Sequence, residues 1–263
     1  MSTTLNDEVC EAQRVRVLVT GASSGIGEAF ARWHAARGDE VVLAGRSTAE
    51  LARVATALGS LGATTRTVVA DLSDATGVDT LLAQVGEIDV VVANAGVTHA
   101  APIGTTSRDE LDRLSYLMSA GVVRLCEALV PGMVSRGFGE VVVVSSIAAF
   151  TPMRKAGPYA AAKSAATAYA RSLALEVLPK GVHVVAVCPG YVRTDLHRRA
   201  SLEHLVRQVP KWMWLTPEHV VRDTRRAIKR GRSVIVPGLV YRLARPFLTS
   251  SLAQGVWRRM TRR

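Results

Sequence analysis

The chain has 263 residues, 48% of them hydrophobic and 21% charged, close to the averages of soluble globular domains. This composition excludes a disordered, collagenous or coiled-coil protein. Because no run of about 18 apolar residues occurs, we expect no transmembrane span and take one to be excluded. The polar residues 1–9 predict no secretory signal. Because Cys10, Cys126 and Cys188 are too widely spaced for a disulfide framework, we expect reduced thiols and a cytoplasmic protein.

The formal net charge of +11 is unevenly distributed. Residues 193–263 carry 17 basic and 4 acidic side chains, an excess of 13, whereas residues 1–192 carry 16 basic and 18 acidic ones. Nucleic-acid binding is the usual inference for a basic protein, but here the body of the chain is nearly neutral, so no nucleic-acid partner is expected. The six histidines show no metal-ligand spacing, and no metal site is expected.

Val-rich runs without polar alternation predict parallel strands buried on both faces. These runs are Val15–Val19, Glu40–Ala44, Thr67–Ala70, Asp89–Ala93, Glu140–Val144 and Val182–Val187. Helical patterns lie between them at about 25–37, 47–61, 74–85, 109–136 and 158–178, followed by a helix at about 217–230 and a strand at Ser233–Val236. This alternation predicts one α/β domain, over 1–263, built on a parallel sheet with right-handed crossovers.

Two helix starts carry local signals. Ser107 followed by Glu110 forms a capping box before the long helix at 109–136. Thr216-Pro217-Glu218 supplies an N-cap, a proline at the first helical position and an acidic first turn.

The first strand leads into a glycine-rich turn, Thr20-Gly21-Ala22-Ser23-Ser24-Gly25-Ile26-Gly27, and a helix follows. Glycines in this context permit a tight turn and let the backbone approach a pyrophosphate at the positive end of the helix. A plain turn is the alternative, but the strand before and the helix after favour dinucleotide binding.

The second strand ends at Leu43-Ala44-Gly45-Arg46, and the residue at this strand end faces the adenosine ribose of a bound dinucleotide. An acidic residue there would bind the 2′-hydroxyl of NAD, whereas the guanidinium of Arg46 suits the 2′-phosphate of NADP. A solvated loop arginine is the other interpretation.

Polar residues also follow the next two strands, as Asp71-Leu72 and as Asn94-Ala95-Gly96. Open parallel sheets bind ligands at the carboxyl ends of their strands. Taken alone, each of these segments would more often serve turn chemistry.

Ser146 ends the fifth strand, and Tyr159 and Lys163 follow on a helix at i,i+4 spacing, which places phenol and ammonium on one face. A phenol has a pKa of about 10, too high for acid–base work at neutral pH. A neighbouring ammonium favours the phenolate, and lowering the pKa by ~3 units requires about 4 kcal/mol. The same spacing also occurs by chance on solvated helices.

All these motifs, with Pro189-Gly190 after the sixth strand, occur in one chain and in one order. The sequence therefore resembles the classical short-chain dehydrogenase/reductase family, closely over 15–194 and more loosely over 195–240. The resemblance implies a doubly wound Rossmann fold with helices on both faces of the sheet, hydride transfer between carbonyl and hydroxyl, and a nicotinamide cofactor. With Arg46, NADP(H) is expected to be preferred over NAD(H).

The resemblance also implies roles for individual residues. Tyr159 matches the general acid, Lys163 the residue that lowers the tyrosine pKa and binds the nicotinamide ribose, and Ser146 the hydroxyl that holds the carbonyl oxygen. Thr194 matches the threonine near the nicotinamide carboxamide. The implied cofactor-binding set is Thr20, Gly21, Ser23, Ser24, Gly25, Ile26, Gly27, Arg46, Asp71, Leu72, Asn94, Ala95, Gly96, Tyr159, Lys163, Pro189, Gly190, Val192 and Thr194.

One position departs from the family pattern. The family usually has an Asn three residues before a glycine of the long helix, where it helps to hold a proton-relay water, and here Met118 precedes Gly121 at that offset. A thioether cannot donate a hydrogen bond. Ser115 or Ser119 serves instead, or the relay differs, or turnover is poorer.

The resemblance implies a substrate lid at roughly 194–216, which includes Lys211-Trp212-Met213-Trp214-Leu215. The tryptophans and the methionine either line a pocket for a bulky apolar substrate or anchor the lid. The stretch 210–238 is loosely similar to reductases of long-chain 3-oxoacyl or lipid-like substrates.

The basic tail 239–263 can place its apolar residues on one helical face opposite its arginines. Such a helix either contacts an anionic membrane surface or packs on its own domain or a neighbouring subunit. Packing is favoured because Pro246 and Gly255 interrupt the helix.

The leading hypothesis is thus an NADP-dependent oxidoreductase that interconverts a ketone and a secondary alcohol on an apolar small molecule. The alternative is a non-catalytic NADP-binding sensor or scaffold, which would not require Ser146. Family members commonly form dimers or tetramers through their two long helices, here about 109–136 and 158–178, so a homodimer or homotetramer is expected.

Overall fold

The structure is a computed structural model that describes residues 14–151, 153–194 and 209–243. Seven strands form one sheet in the order β3-β2-β1-β4-β5-β6-β7, and all neighbouring strands are parallel. The strands are β1 Arg16–Thr20, β2 Glu40–Gly45, β3 Thr65–Val69, β4 Val90–Ala93, β5 Gly139–Val144, β6 Val182–Val187 and β7 Val234–Ile235. The strand order reverses between β1 and β4, so the predicted doubly wound α/β fold is confirmed.

Helices cover both faces of this sheet. They are α1 Gly25–Ala35, α2 Thr48–Gly59, α3 Ala75–Val85, α4 Arg108–Ser115, α5 Gly121–Arg136, α6 Gly157–Val177 and α7 Pro217–Ile228. On one face α5 contacts α3 and α6, and on the other face α1 contacts α2 and α7. β1, β2 and β4 to β6 are mostly apolar runs whose side chains point to both faces of the sheet. The helices on the two faces bury these side chains.

The prediction of burial on both faces was wrong for the third strand. It runs over Thr65–Val69, two residues before the predicted start, and of its side chains only Val68 is buried. The reason is its place in the sheet, where β3 pairs with β2 alone and forms the edge. Arg66 extends from this edge to donate hydrogen bonds to the carbonyls of Gln84 and Val85 at the end of α3.

The predicted long helix contains a π-helical turn, Tyr116–Ala120, between α4 and α5. Gly121 follows this turn, and a Cβ there would lie 2.9 Å from the carbonyl oxygen of Tyr116. Only a glycine therefore fits without displacing the backbone.

The continuous helical stretch Arg108–Arg136 is long enough to cross a bilayer and contains an 18-residue window with a mean hydropathy of 1.5, which is apolar enough for a span. A core helix of a soluble protein passes the same test, and this stretch buries Met118, Leu125 and Met133 in the interior of the fold. Arg124, on its outer side, forms two hydrogen bonds with Asp79 of α3. We therefore treat it as a core helix.

Both predicted helix starts are present. The Ser107 hydroxyl accepts a hydrogen bond from the Glu110 amide, and the Thr216 hydroxyl accepts one from the His219 amide. The Glu110 carboxylate lies 3.9 Å from Nδ1 of His99, so it faces an imidazole instead of completing the capping box. The caps fix the directions of α4 and α7 relative to the sheet.

The amino edge of the sheet holds a group of paired charges. Arg225 of α7 binds both carboxylate oxygens of Glu140 at the start of β5, and its guanidinium lies 4.5 Å from the ring centre of Trp33. His34, which is 2% exposed, contacts Asp39 through Nδ1 at 2.7 Å. Burial lowers the pKa of His34, and the hydrogen bond with Asp39 opposes this effect.

Candidate active site

A cleft lies at the opposite, carboxyl edge of the sheet, where the strand order reverses. Every residue predicted for the site lines it except Thr20, Gly27 and Gly190. Six further residues line it that the sequence analysis did not single out: Gly45, Ala70, Val97, Leu117, Val144 and Ser145. Gly45, Ala70 and Ser145 directly precede predicted positions, and Val144 is the last residue of β5, so the strand pattern could have identified these four. Leu117 and Val97 carried no comparable signal.

The glycine-rich turn after β1 has the geometry that a dinucleotide requires. Gly21 and Gly25 have φ angles of +63° and +59°, a region that L side chains rarely adopt. A Cβ on Gly27 would lie 2.3 Å from the carbonyl oxygen of Gly21. Ser24 precedes α1 without a side-chain cap, so the first amides of that helix remain available to an anion. The turn therefore fits a pyrophosphate.

Thr20 and Asn94 hold this turn from behind. The Asn94 side-chain amide donates to the carbonyls of Thr20 and Gly21 at 2.9 and 3.2 Å. The Thr20 hydroxyl accepts from the amides of Asn94 and Ala95 and donates to the carbonyl of Val92. Thr20 is 2% exposed and does not reach the cleft, so its observed role is to join the ends of β1 and β4.

The adenosine end of the cleft contains Arg46 and Asp71. Asp71 accepts hydrogen bonds from the Ser73 amide at 3.1 Å and from Arg113 at 2.7 Å. Burial acts to raise the pKa of Asp71, but the Ser73 hydrogen bonds and the charges of Arg46 and Arg113 outweigh it, so the pKa is lowered. Arg46 is exposed and makes no hydrogen bond or ion pair with a described residue, so its guanidinium is available to a ligand.

Ser146 and Tyr159 meet at the other end of the cleft. Ser146 caps the short 3₁₀ helix Ile147–Ala149, where its hydroxyl accepts from the Ala148 amide at 3.1 Å. The phenol of Tyr159 on α6 faces the same part of the cleft. Burial raises the pKa of Tyr159, and the neighbouring Ser146 hydroxyl opposes that rise. The phenol is therefore protonated at neutral pH and can donate a proton to a substrate oxygen.

Lys163 lies one helical turn beyond Tyr159 and is 6% exposed. Its ammonium donates to the carbonyl of Val144 at 2.9 Å and lies 6.0 Å from the ring centre of Tyr159. Burial lowers the pKa of Lys163 to about 8. The sequence analysis expected the ammonium to lower the tyrosine pKa. Here burial of the phenol is the largest influence and the net pKa of Tyr159 is raised, so the lowering by Lys163 stays a prediction.

Met118, in the π-helical turn, takes the position of the usual asparagine. It is 1% exposed and packs with Leu114 and Ala162 in an apolar cluster that also contacts Tyr159. A Cβ on Gly96 would lie 3.5 Å from both the Met118 sulfur and the Lys163 ammonium, so these two groups flank the same point. The wall beside Lys163 is therefore apolar at this point.

Neither serine proposed as a substitute for the asparagine reaches the cleft. Ser115 is exposed, and both Ser115 and Ser119 are absent from the described lining. A relay through either hydroxyl is therefore not built into this arrangement.

The two described ends of the predicted lid, Thr194 and residues 209–216, are joined through aromatic side chains. Trp214 packs on Tyr191 at 5.4 Å and donates to the carbonyl of Val209, whereas Trp212 is 67% exposed. Neither tryptophan lines the described cleft, so Trp214 anchors the lid and the pocket role is not supported. Residues 195–208 and the predicted tail beyond 243 lie outside the described residues.

Tyr241 connects the lid to the loop after β6. Its hydroxyl accepts from the Tyr191 amide at 3.1 Å and donates to the Met213 carbonyl at 2.8 Å. A Cβ on Gly190 would lie 2.2 Å from the Tyr241 ring. Gly190 thus makes room for this ring instead of lining the cleft. Among the described residues no group of His, Cys, Asp and Glu could hold a metal ion.

Residues 15–204 match the family model for short chain dehydrogenase. A dehydrogenase/reductase SDR family protein 7-like from Drosophila melanogaster is 36% identical over 192 residues, which span 70% of this chain and 59% of that protein. The 3-oxoacyl-[acyl-carrier-protein] reductase FabG of Escherichia coli is 32% identical over 200 residues, 73% of this chain and 81% of that protein.

Solved structures show the same similarity. A short-chain dehydrogenase from Sphingobium yanoikuyae in complex with NADPH superposes with a TM-score of 0.80 at 29% identity, covering 93% of this chain and 95% of that one. A short chain dehydrogenase/reductase from Burkholderia phymatum in complex with NAD has a TM-score of 0.75 at 25% identity, covering 85% of this chain and 88% of that one. The similarity therefore extends over nearly the whole chain.

Proposed function

The chain belongs to the short chain dehydrogenase family and is an oxidoreductase that acts on CH–OH and C=O groups, and on that premise we propose that it uses NADP(H) to interconvert a ketone and a secondary alcohol on an apolar, lipid-like or 3-oxoacyl substrate. The pair of Ser146 and Tyr159 in one cleft, with Lys163 buried beside it, carries this proposal. A non-catalytic sensor would need the glycine-rich turn but not this pair.

Ser146, Tyr159 and Lys163 have different roles in the proposed reaction. A nicotinamide held in the cleft would supply or accept the hydride. Ser146 holds the carbonyl oxygen of the substrate beside Tyr159, and the protonated phenol donates its proton to that oxygen during reduction. Lys163, fixed by the Val144 carbonyl, lies behind Tyr159, where an ammonium favours the phenolate left after the transfer.

Preference for NADP(H) rests on Arg46. Its guanidinium lines the cleft after β2 and makes no ion pair with a described residue, so it can bind a 2′-phosphate without first breaking a contact. The similar solved structures hold both NADPH and NAD, so the family alone does not decide between them. The chemistry of the donor at position 46 supports the phosphate.

An apolar substrate is supported by the wall of the cleft around the catalytic pair. Val97 and Leu117 line the cleft, and Leu114 and Met118 pack behind them next to Tyr159. This wall offers a substrate no charged group and would favour an alkyl or acyl chain. The E. coli relative is by name a 3-oxoacyl reductase, which agrees with a 3-oxo ester as substrate.

The test measures oxidation of NADPH and of NADH with a panel of ketones and 3-oxo esters of increasing chain length. We expect turnover with NADPH that improves as the alkyl chain grows, and a reversed cofactor order in Arg46→Asp. Arg108→Asp, an exposed arginine outside the described lining, is the matched control and should keep the order of the parent. Equal affinity of the parent for both cofactors would contradict the NADP assignment.

We also propose that the protein is a homodimer or homotetramer that packs through Arg108–Arg136 and α6. The outer face of α6 carries Leu175, which is 81% exposed, beside Leu178, which is 46% exposed. Sedimentation velocity of the parent and of Leu175→Glu tests this assignment. A monomeric parent would contradict it.

A further inference from the structure

The edge of the sheet formed by β7 carries a basic surface with exposed apolar side chains, which we call the β7-edge face. It lies beside the loop after β6, which lines part of the cleft. It contains none of the proposed catalytic residues. The β7-edge face consists of Arg226, Arg230, Arg232, Leu239, Val240, Arg242 and Leu243.

The arginines of this face surround a concave surface along β7. Arg226, Arg230, Arg232 and Arg242 line it together with Asp223. Arg226 lies 3.6 Å from Asp223, while Arg230, Arg232 and Arg242 have no side-chain hydrogen bond or ion pair with a described residue. Residues 209–243 hold eight basic and two acidic side chains. The face therefore carries a strong positive potential.

The carboxylate of Asp223 offsets only one of the four arginine charges and lies nearest to Arg226. It accepts a hydrogen bond from the Gly238 amide at 3.1 Å and lies 3.3 Å from Nε2 of His219. The remaining arginines thus face solvent without a described counter-charge.

The apolar side chains lie on the helical residues 239–243, whose orientation is fixed. Tyr241 is 3% exposed because its ring packs on Gly190 and its hydroxyl bonds to Tyr191 and Met213. With Tyr241 directed inward, Leu239 and Leu243 are held outward at 63% and 65% exposure. Isolated exposed leucines are ordinary, but two on one short helix beside four arginines form a mixed surface.

We infer that the β7-edge face docks on an anionic lipid surface. Arginines would contact the lipid phosphates while Leu239 and Leu243 enter the boundary between headgroups and acyl chains, which is how basic amphipathic surfaces bind membranes. Residues 244–263 continue the same composition, with five arginines and no acidic residue. The sequence analysis favoured packing of the tail 239–263, and the outward leucines at its described start now favour the membrane.

A second copy of the chain fits this face less well. A symmetric contact places the same patch opposite itself, so the arginines of one protomer would face those of the other. Nucleic acid would satisfy the arginines, but it offers no apolar partner for Leu239 and Leu243. The combination of both side-chain types is the property that a bilayer surface matches.

Flotation of the full-length protein with vesicles of phosphatidylcholine, alone or with phosphatidylglycerol, tests the inference. We expect binding only to the anionic vesicles, with an affinity that falls as salt rises. Each basic residue near such a surface contributes roughly a fivefold change, so Arg230→Gln/Arg232→Gln/Arg242→Gln should weaken binding about 10²-fold. Leu239→Gln/Leu243→Gln should weaken it as well.

The matched control is Arg14→Gln/Arg37→Gln/Lys155→Gln, which removes the same charge from exposed positions outside the face and the proposed oligomer helices and should bind nearly as the parent does. Thermal denaturation of all variants checks that they fold. If the parent does not bind anionic vesicles, or if both face variants bind them as well as the parent does, the inference is overturned. The inference also fails if the parent does not bind vesicles and Leu239→Gln/Leu243→Gln changes its oligomeric state. A second copy of the chain would then cover the face. Binding of duplex DNA that is insensitive to the leucines, without vesicle binding, would point to nucleic acid instead.

Discussion

At the amino edge of the sheet Arg225 is paired with Glu140 and stacks on Trp33, whereas at the carboxyl edge Lys163 is buried with a carbonyl oxygen as its described partner. Both regions remove charged groups from water, and burial without a counter-ion is unfavourable. The paired edge can therefore stabilise the fold, while the carboxyl edge keeps a destabilising group. This contrast indicates that the carboxyl edge is shaped for chemistry and the amino edge for stability.

The largest expected effect is on catalysis at the carboxyl edge. Tyr159→Phe removes the proton donor but keeps the ring, so turnover of the best ketone with NADPH should fall by at least ~10²-fold, while NADPH affinity changes little. Tyr169→Phe, on the same helix and hydrogen-bonded to Glu127 at 2.7 Å, is the matched control and should retain activity. A Tyr159→Phe enzyme with most of its activity would show that another group supplies the proton.

Breaking the paired edge should affect stability instead. Arg225→Met leaves Glu140 without its partner in a partly buried position, where the two side chains are 17% and 16% exposed. We expect the free energy of unfolding in urea to fall by about 2 kcal/mol. Arg124→Met, which breaks the exposed pair with Asp79, should lower it far less, because water screens an exposed pair. Equal losses of unfolding free energy in the two variants would show that the partly buried pair stabilises the fold no more than the exposed pair does.

Removing the unpaired charge should have the opposite sign. The pKa of Lys163 is lowered to about 8 in the folded protein, so the unfolded chain binds more protons and the ammonium opposes folding at neutral pH. Lys163→Met should therefore raise the free energy of unfolding by about 1 kcal/mol at pH 7 and abolish turnover. The gain should shrink towards pH 10, where the lysine of the unfolded chain also loses its proton. A destabilised variant at pH 7 would show that the hydrogen bond to Val144 outweighs the burial.

The smallest effect concerns pH at the amino edge. Burial lowers the pKa of His34, and the charge of Arg225 adds to this, whereas Asp39 and Glu140 oppose it. The unfolded chain thus binds the proton first, and stability should fall as pH drops below about 6.5, by at most about 1.4 kcal/mol per pH unit. His34→Gln should flatten the curve of unfolding free energy between pH 7 and 5.5. An unchanged curve would show that His34 does not titrate in this range.

Much of the fold and of the site was predictable because the signals are local. The Val-rich runs place every strand within two residues of its observed bounds, since a strand buried on both faces must be apolar throughout. The glycines of the first turn, and the i,i+4 spacing of Tyr159 and Lys163, are also local, and the parallel sheet brings their strand ends together.

Long-range contacts decided the rest. The one-sided burial of β3 follows from its place at the sheet edge, which its own residues do not specify. The raised pKa of Tyr159 follows from how deeply α6 packs, and spacing along the helix carries no information on depth.

Tyr241 illustrates the same limit. Its hydroxyl joins Tyr191 and Met213, positions 50 and 28 residues away, and its inward direction determines that Leu239 and Leu243 face outward. The sequence by itself determined which residues form the sheet, the glycine-rich turn and the catalytic pair, because backbone geometry and apolar periodicity act between near neighbours. The tertiary structure alone decided burial, charge pairing and the composition of the β7-edge face, because these depend on which distant segments the strand order brings into contact.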